Sequence, residues 1–120
     1  MSESKDEIPE VLHHYTSAEG RTGIVESKTI NPSLKENNPR DARYGDGQYL
    51  SDIPPGSKTG GQLSYEFYGQ PFQKARVTDY VSIKTEGLSV KKGRANVFVV
   101  LGNEPLDISE RLVDEGENKK

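Results

Sequence analysis

With 120 residues, 31% of them hydrophobic, seven prolines and twelve glycines, the sequence predicts one small domain with a thin core and many turns. The chain has no cysteine and only two histidines, which excludes disulfides and thiol chemistry and argues against a metal site. The net charge of −3 belongs to the two ends, because residues 11–112 hold 13 basic and 12 acidic side chains. This nearly neutral centre argues against general nucleic-acid binding but suits a small anionic ligand.

The two ends of the chain are predicted to be disordered. Residues 1–10 and 113–120 contain seven acidic residues, three lysines and almost no apolar side chains. Residues 1–6 lack the apolar stretch of a signal peptide, and no apolar run approaches the roughly 18 residues of a membrane span. We therefore expect a folded domain at 11–112, no membrane association and a site of action in the cytoplasm.

The first part of the domain is predicted to be a strand followed at once by a helix. Residues 11–15 are strand formers. Thr16 and Glu19 then fit a capping box, in which both side chains satisfy amides at the start of a helix. The helix is expected to end at 29–32, and the polar residues 33–43 are expected to form a loop.

The second part is predicted to contain a glycine-rich turn, a second helix and several strands. The turn opens the segment 44–52 and leads into a short strand, and residues 61–68 have helical spacing. Strands are expected within 77–88, at 97–101, where five consecutive β-formers indicate burial on both faces, and at 106–108. This order predicts an α+β fold built on a small, mainly antiparallel sheet.

Few side chains in this pattern can carry chemistry. His13 and His14 titrate nearest to neutral pH and alternate across a strand, so one should face the core or a cleft and the other outward. Gly45 and Gly47 permit positive φ and the close approach of a backbone or a ligand. Tyr49 beside them can stack on an aromatic ligand. Each also fits an ordinary structural role, as a buried histidine, a hairpin turn or a core aromatic.

Three segments together resemble one known family. Residues 12–17 (Leu-His-His-Tyr-Thr-Ser), residues 42–49 (Ala-Arg-Tyr-Gly-Asp-Gly-Gln-Tyr) and residues 97–107, with Val-Phe-Val and Pro-Leu-Asp, are similar to motifs of small ADP-ribosyltransferase domains with an HYD signature. That family is related to the diphtheria-toxin-like and poly-ADP-ribose-polymerase-like enzymes. The resemblance, which covers about residues 11–112, implies their split-sheet fold. It also implies cleavage of the nicotinamide–ribose bond of NAD, by mono-ADP-ribosyl transfer or by NAD glycohydrolase activity, in a toxin or effector module.

The resemblance also assigns roles to individual residues. His14 would hydrogen-bond a ribose hydroxyl of NAD, the backbone of Tyr15 would bind the carboxamide, and the Tyr49 ring would stack on the nicotinamide. Other expected NAD contacts are Thr16, Arg43, Gly45, Gly47, Ser51, Tyr65 and Asn96, with Tyr68 or Tyr44 as alternatives for the second aromatic and Arg21 as the alternative at the pyrophosphate.

This sequence differs from the polymerase-like relatives at the position of the catalytic acid. Their catalytic glutamate opens the strand that is predicted here at 97–101, where this chain has Asn96. The resemblance leaves Asp107 as the expected catalytic acid, with Glu104 and Asp46 as lesser candidates. Without a glutamate to activate an acceptor, hydrolysis or mono-transfer is favoured over polymer formation.

Two other functions stay open at the level of the sequence. Asn96 also fits an inactive module of the same fold that binds NAD, ADP-ribose or a protein. An RNA 2′-phosphotransferase-like enzyme has a related fold, but it needs basic side chains that a nearly neutral domain supplies poorly. For the enzyme, the resemblance implies NAD as substrate without a metal and an unidentified protein or small-molecule acceptor. A toxin role would add a neutralising partner.

Overall fold

Short strands alternate with two α-helices in the first half of the chain and follow one another in the second half. The computed structural model describes residues 8–37, 39 and 42–120. The first elements are β1 (Val11–Thr16), α1 (Ala18–Ser27), β2 (Thr29–Ile30), β3 (Gly47–Leu50) and α2 (Gly60–Tyr68). A 3₁₀ segment (Pro71–Val77) leads into β4 (Asp79–Lys84), β5 (Val90–Arg94), β6 (Val97–Leu101), β7 (Leu106–Asp107) and β8 (Leu112–Glu117).

The strands form two three-stranded antiparallel sheets, which one main-chain bridge connects, and a separate two-stranded pair. Within the described residues one sheet has the order β1-β4-β8 and the other β3-β6-β5, while β2 pairs with β7 alone. The sheets meet where His13 and Ser51 exchange main-chain hydrogen bonds of 2.9 and 2.7 Å. The α+β class and the mainly antiparallel sheet predicted from the sequence are confirmed. The sheet is split into two parts, and this bridge connects them.

Two apolar clusters hold these elements together. The larger one joins both sheets through buried side chains of β1, β3, β4 and β6, together with one residue of β2 and one that follows β7: Leu12, Ile30, Leu50, Val81, Ile83, Phe98, Val100 and Ile108. The smaller one consists of Ile53, Leu63 and Val77, with Tyr15, Phe67 and Tyr68 packed around it. Because this second cluster draws α2 and the 3₁₀ segment against β1, it fixes one wall of the cleft described below.

β6 is the strand that the sequence indicates most strongly, and its position in the sheet explains why. Residues 97–100 are at most 8% exposed, whereas Leu101 is 46% exposed. β6 lies between β3 and β5, so both of its edges are paired as well. Burial on both faces is therefore confirmed for all but the last residue of the strand.

α1 begins one residue later than the sequence predicts. Its N-cap is Ser17, whose side-chain oxygen accepts a hydrogen bond of 3.0 Å from the amide of Gly20. Thr16 still belongs to β1, so it does not cap the helix. A reciprocal capping box does occur, but at the start of α2, between Thr59 and Gln62.

The C-terminal end also differs from the prediction. The sequence suggests a disordered tail at 113–120 and a last strand at 106–108, whereas Leu112–Glu117 forms β8 and pairs with β4. Main-chain hydrogen bonds to β4, an ion pair of 2.9 Å between Arg21 and Glu115, and the packing of Leu112 against the larger apolar cluster hold this charged strand. At the other end, Thr85 bonds the main chain of Pro9 and Glu10, and residues 1–7 lie outside the described residues.

Candidate active site

A cleft opens between the end of β1, β3 and the C-terminal end of α2. Its volume is about 420 Å³, which is in the range of small-molecule sites. The lining comes mainly from residues 13–17, 49–51, 67–68 and 75–77, together with Asn31, Ser33, Arg43, Tyr44, Arg94 and Val97. The bridge between the two sheets therefore lies at this cleft, where side chains from both sheets converge.

His14 is held in one orientation by the backbone of the neighbouring sheet. Its Nδ1 lies 2.9 Å from the carbonyl oxygen of Tyr49. Because a carbonyl can only accept, Nδ1 must carry the proton, and Nε2 of the neutral ring is then an acceptor. Burial lowers the pKa of His14, although the Tyr49 carbonyl opposes that shift. At neutral pH the ring is therefore neutral, with Nε2 able to accept a hydrogen bond from a hydroxyl group.

His13 lies on the opposite face of β1 and has a different partner. Its Nδ1 is 2.7 Å from the hydroxyl oxygen of Ser82 on β4. Burial lowers the pKa of His13, and the carboxylates of Asp52 and Asp114 oppose that shift. Both histidines are partly buried and both contribute to the cleft lining. The expectation that one of them faces outward is therefore wrong, because each ring has a hydrogen-bond partner on a neighbouring strand.

The main chain of Tyr15 is available on the cleft side of β1. The N–H and C=O groups of a strand residue point to the same edge, and successive residues alternate between the two edges. Those of His13 both bond Ser51, the residue after β3, so those of Tyr15, two residues on, face the same edge. The Tyr15 side chain is anchored separately, because its hydroxyl donates to the carbonyl of Ile53 at 2.8 Å. A donor and an acceptor thus stand side by side at the cleft.

Tyr49 combines a ring in the cleft lining with a hydroxyl that closes the glycine turn. The hydroxyl oxygen accepts a hydrogen bond of 2.8 Å from the amide of Tyr44 and donates one of 2.8 Å to the carbonyl of Gly45. Burial raises the pKa of the Tyr49 hydroxyl, so it stays protonated and keeps its donor role. With both ends fixed, the ring is a rigid surface on which a flat ligand can stack.

The two glycines of this turn serve the protein backbone. Gly45 has a φ of 118°, a conformation that other residues rarely adopt. Gly47 faces β6 so closely that an added Cβ would lie 2.2 Å from the carbonyl oxygen of Val100. Of the two roles that the sequence suggests for glycine, the structure shows a positive φ at one position and the approach of another backbone at the other.

Of the remaining polar candidates, Ser51 and Thr16 both line the cleft. Ser51 is buried, and its hydroxyl oxygen accepts from the amide of Ile53 at 3.0 Å. That bond leaves the hydroxyl hydrogen of Ser51 for another acceptor.

The charged side chains of the cleft are arginines. Arg43 is exposed, lines the cleft and makes no hydrogen bond or ion pair within the described residues. Arg76 and Arg94 line it as well, although the sequence analysis did not single them out. Arg94 lies in a Lys-Lys-Gly-Arg stretch and Arg76 in Gln-Lys-Ala-Arg, and both stretches have the composition of solvated loops. Arg21 is elsewhere, in ion pairs with Asp79 and Glu115.

The three tyrosines considered as the second aromatic side chain at the nicotinamide differ in whether they line the cleft. Tyr65 is 65% exposed on α2 and does not line the cleft. Tyr68 and Tyr44 do line it. The guanidinium of Arg76 lies 4.5 Å from the centre of the Tyr68 ring.

The three acids considered from the sequence do not line the cleft. Asp107 is exposed on β7, where its carboxylate accepts hydrogen bonds from the amide and hydroxyl of Ser109 that lower the pKa of Asp107. Glu104 is exposed near the same strand, and Asp46 accepts a hydrogen bond from the amide of Lys35 at 2.7 Å. Asn96 precedes the lining residue Val97 and has a left-handed backbone with a φ of 68°.

Among the described residues, no group of three or more histidine, aspartate or glutamate side chains is arranged to hold a metal ion. No helix in the described part of the chain is long and apolar enough to span a membrane.

Comparison with known proteins gives one family and one fold. Residues 12–112 match the family described as HYD1 signature containing ADP-ribosyltransferase. No curated protein matches the chain. A solved structure of the Agrobacterium protein 6b, from work on the disturbance of plant cell proliferation, is similar with a TM-score of 0.50 and 13% identity. The match covers 91% of this chain and 64% of the 6b chain, and at this identity it shows a shared fold alone.

Proposed function

Since the chain belongs to the family of ADP-ribosyltransferases that contain the HYD1 signature, we propose that it binds NAD in the cleft and cleaves the bond between nicotinamide and ribose. Enzymes of this family use NAD as substrate. The observation that carries the proposal is His14, whose 2.9 Å bond to the Tyr49 carbonyl leaves Nε2 as an acceptor. Such an acceptor suits a ribose hydroxyl.

The nicotinamide end would be bound by groups of both sheets. The carboxamide carries one acceptor and one donor, and the N–H and C=O of Tyr15 complement it on the edge of β1. The Tyr49 ring, which its hydroxyl holds in place, would stack on the nicotinamide. The Ser51 hydroxyl is a further donor at the cleft. These contacts would hold the nicotinamide rigidly relative to the ribose, which is the main requirement for cleaving the bond between them.

The pyrophosphate would lie near the arginines. Arg43 is the proposed contact, because it is exposed at the cleft and has no partner within the described residues. A guanidinium can bind two phosphate oxygens at once. Arg76 and Arg94 add positive charge to the same cleft, so an anionic dinucleotide would be attracted although the domain as a whole is nearly neutral.

In the reaction, the bond between C1′ of the ribose and the nicotinamide nitrogen breaks, and its electron pair leaves with the nicotinamide. The ribose then carries positive charge shared between C1′ and the ring oxygen, until water or an acceptor hydroxyl attacks C1′. Attack by water gives ADP-ribose, and attack by an acceptor gives a mono-ADP-ribosylated product. An unidentified protein or small molecule would be the acceptor.

One observation favours a second candidate function, an NAD- or ADP-ribose-binding module without catalysis. Among the described residues that line the cleft there is no aspartate or glutamate, although a carboxylate commonly stabilises such a cationic transition state. Binding and cleavage therefore have to be measured separately.

The test is to incubate the purified chain with NAD and follow nicotinamide release together with NAD affinity. We expect the wild type to release nicotinamide and His14→Ala to reduce the rate at least about 100-fold. Asp107→Ala, on the surface away from the cleft, should keep the wild-type rate. NAD binding without nicotinamide release in the wild type would favour the binding module, and full activity of His14→Ala would refute the site. Radiolabelled NAD with a cell lysate separates transfer to protein from hydrolysis.

A further inference from the structure

No aspartate or glutamate lines the cleft among the described residues, but Glu66 is the neighbour of the lining residue Phe67. Glu66, in the last turn of α2, is partly buried, and its Oε2 accepts a hydrogen bond of 3.1 Å from the side-chain amide of Asn96. Each partner is adjacent to a residue of the cleft lining, because Phe67 follows Glu66 and Val97 follows Asn96. The carboxylate is thus brought from a helix to the start of β6.

Arg94 ties the same turn of α2 to β5. One of its terminal nitrogens donates to the carbonyls of Glu66 and Phe67, at 2.8 and 3.3 Å. The C-terminal end of a helix carries partial negative charge, so a glutamate is unfavourable there for stability. The carboxylate at this position lies beside an arginine of the cleft and is held by an asparagine. A role in function explains it more readily than a role in folding does.

Asp46 and Asp79, two other acids of the described residues, are bonded away from the cleft. Asp46 is bonded to the amide of Lys35, and Asp79 is buried in an ion pair with Arg21. Asp52 follows Ser51 in the chain and does not line the cleft, but its Oδ1 is buried without a hydrogen-bond partner among the described residues and its charge acts on His13. The carboxylate of Glu66 has a single hydrogen bond to a side chain, that of Asn96 before β6, and no ion pair within the described residues.

We propose that Glu66 is the catalytic carboxylate of this site and that Asn96 positions it; the inference rests on the proposed cleavage of NAD. A change of side-chain rotamer turns the carboxylate from Asn96 into the cleft when NAD binds. There it stabilises the positive charge on the ribose as the bond from C1′ to nitrogen breaks and neutral nicotinamide leaves. Attack of water then forms the new bond to C1′, and its proton passes to Glu66 and on to solvent. An acceptor hydroxyl reacts in the same way.

The test compares Glu66→Gln with the wild type for NAD affinity, nicotinamide release and the pH dependence of the rate. Glutamine can still accept the hydrogen bond from Asn96, so the variant removes the charge and retains the fold. We expect NAD affinity within about 3-fold of the wild type, a rate lower by about 100-fold or more, and loss of the acidic limb of the pH–rate profile. Asn96→Ala should reduce the rate less, because it frees the carboxylate without removing it.

Glu110→Gln is the matched control, since Glu110 is exposed in a turn away from the cleft; its rate and pH profile should equal those of the wild type. If Glu66→Gln keeps more than about a third of the wild-type rate, or loses NAD affinity instead of rate, the catalytic role of Glu66 is overturned while NAD cleavage stands. If the wild type binds NAD and releases no nicotinamide, the proposed function itself fails and Glu66 has no reaction to serve.

Discussion

The hydroxyl of Tyr49 both accepts and donates a hydrogen bond within the protein, although the Tyr49 ring lines the cleft. It accepts from the amide of Tyr44 and donates to the carbonyl of Gly45, so it adds to the main-chain hydrogen bond of 3.0 Å from the amide of Gly45 to the carbonyl of Ala42 in this turn. A tyrosine that only had to stack on a ligand would need no such bonds. At this position the ring and the hydroxyl have separate tasks, which phenylalanine and alanine variants can separate.

Tyr49→Phe is expected to lower the free energy of unfolding by about 1–3 kcal/mol, because it leaves a partly buried amide and carbonyl without their partner. The ring would remain, so NAD should still bind, with an affinity reduced by the loosened turn. Urea unfolding measures the first effect and calorimetric titration the second. Tyr65→Phe is the matched control, since Tyr65 is 65% exposed, and it should change stability by less than about 0.5 kcal/mol. Equal stability of both variants would show that the turn does not depend on the hydroxyl.

At the scale of elements, the pairing of β3 with β6 depends on close contact as well as on hydrogen bonds. Gly47 pairs with Leu101 across the ladder, and the nearest backbone atom to an added Cβ is the carbonyl oxygen of Val100, at 2.2 Å. A backbone atom in a paired strand cannot move aside cheaply. Gly23, in the middle of α1, has nothing within 4 Å of an added Cβ.

The two glycines therefore predict opposite signs for the same substitution. Gly47→Ala should destabilise the fold by more than about 2 kcal/mol through overpacking, and it should also weaken NAD binding because β3 carries Tyr49. Gly23→Ala should stabilise the fold by about 0.5–1 kcal/mol, as alanine is favoured over glycine in a helix. Thermal and urea unfolding of both variants measure these two changes in stability. A Gly47→Ala variant as stable as the wild type would mean that the strands are less closely paired than they are here.

Elements with a strong local pattern could be predicted from the sequence, and elements held by long-range pairing could not. β1, α2 and β6 have runs of β-formers or helical spacing, whereas β5 and β8 are mostly charged or glycine-containing and exist because β6 and β4 pair with them. The site divides in the same way. The motifs that contain His14, Tyr49 and Ser51 can be recognised from a few consecutive residues, and these three residues come together at the cleft. Glu66 has no local signal, because only the tertiary fold brings it to Asn96.

At the scale of the whole molecule, one arginine connects three elements around the first sheet. Arg21 on α1 forms ion pairs with Asp79 on β4, at 3.0 Å, and with Glu115 on β8, at 2.9 Å. Asp79 is 1% exposed, so its charge depends on that partner, and removing one member of a buried pair is costly. β8 shields this pair and covers the outer edge of β4. The segment that resembles a charged tail is therefore part of the fold.

Removal of residues 113–120 should consequently destabilise the protein, even though these residues lie beyond the family match at 12–112. The truncation removes the ladder between β4 and β8 and leaves Arg21 with one partner, and we expect a loss of at least about 2 kcal/mol in the free energy of unfolding. Removal of 119–120 alone is the control, because Asn118, which bonds the amide of Gly56 and the carbonyl of Lys58, is kept. Urea unfolding and amide exchange in β4 give the comparison. If both truncations match the full chain in stability and in the protection of β4, then β8 contributes nothing to the fold, and the disorder predicted from its charge is correct.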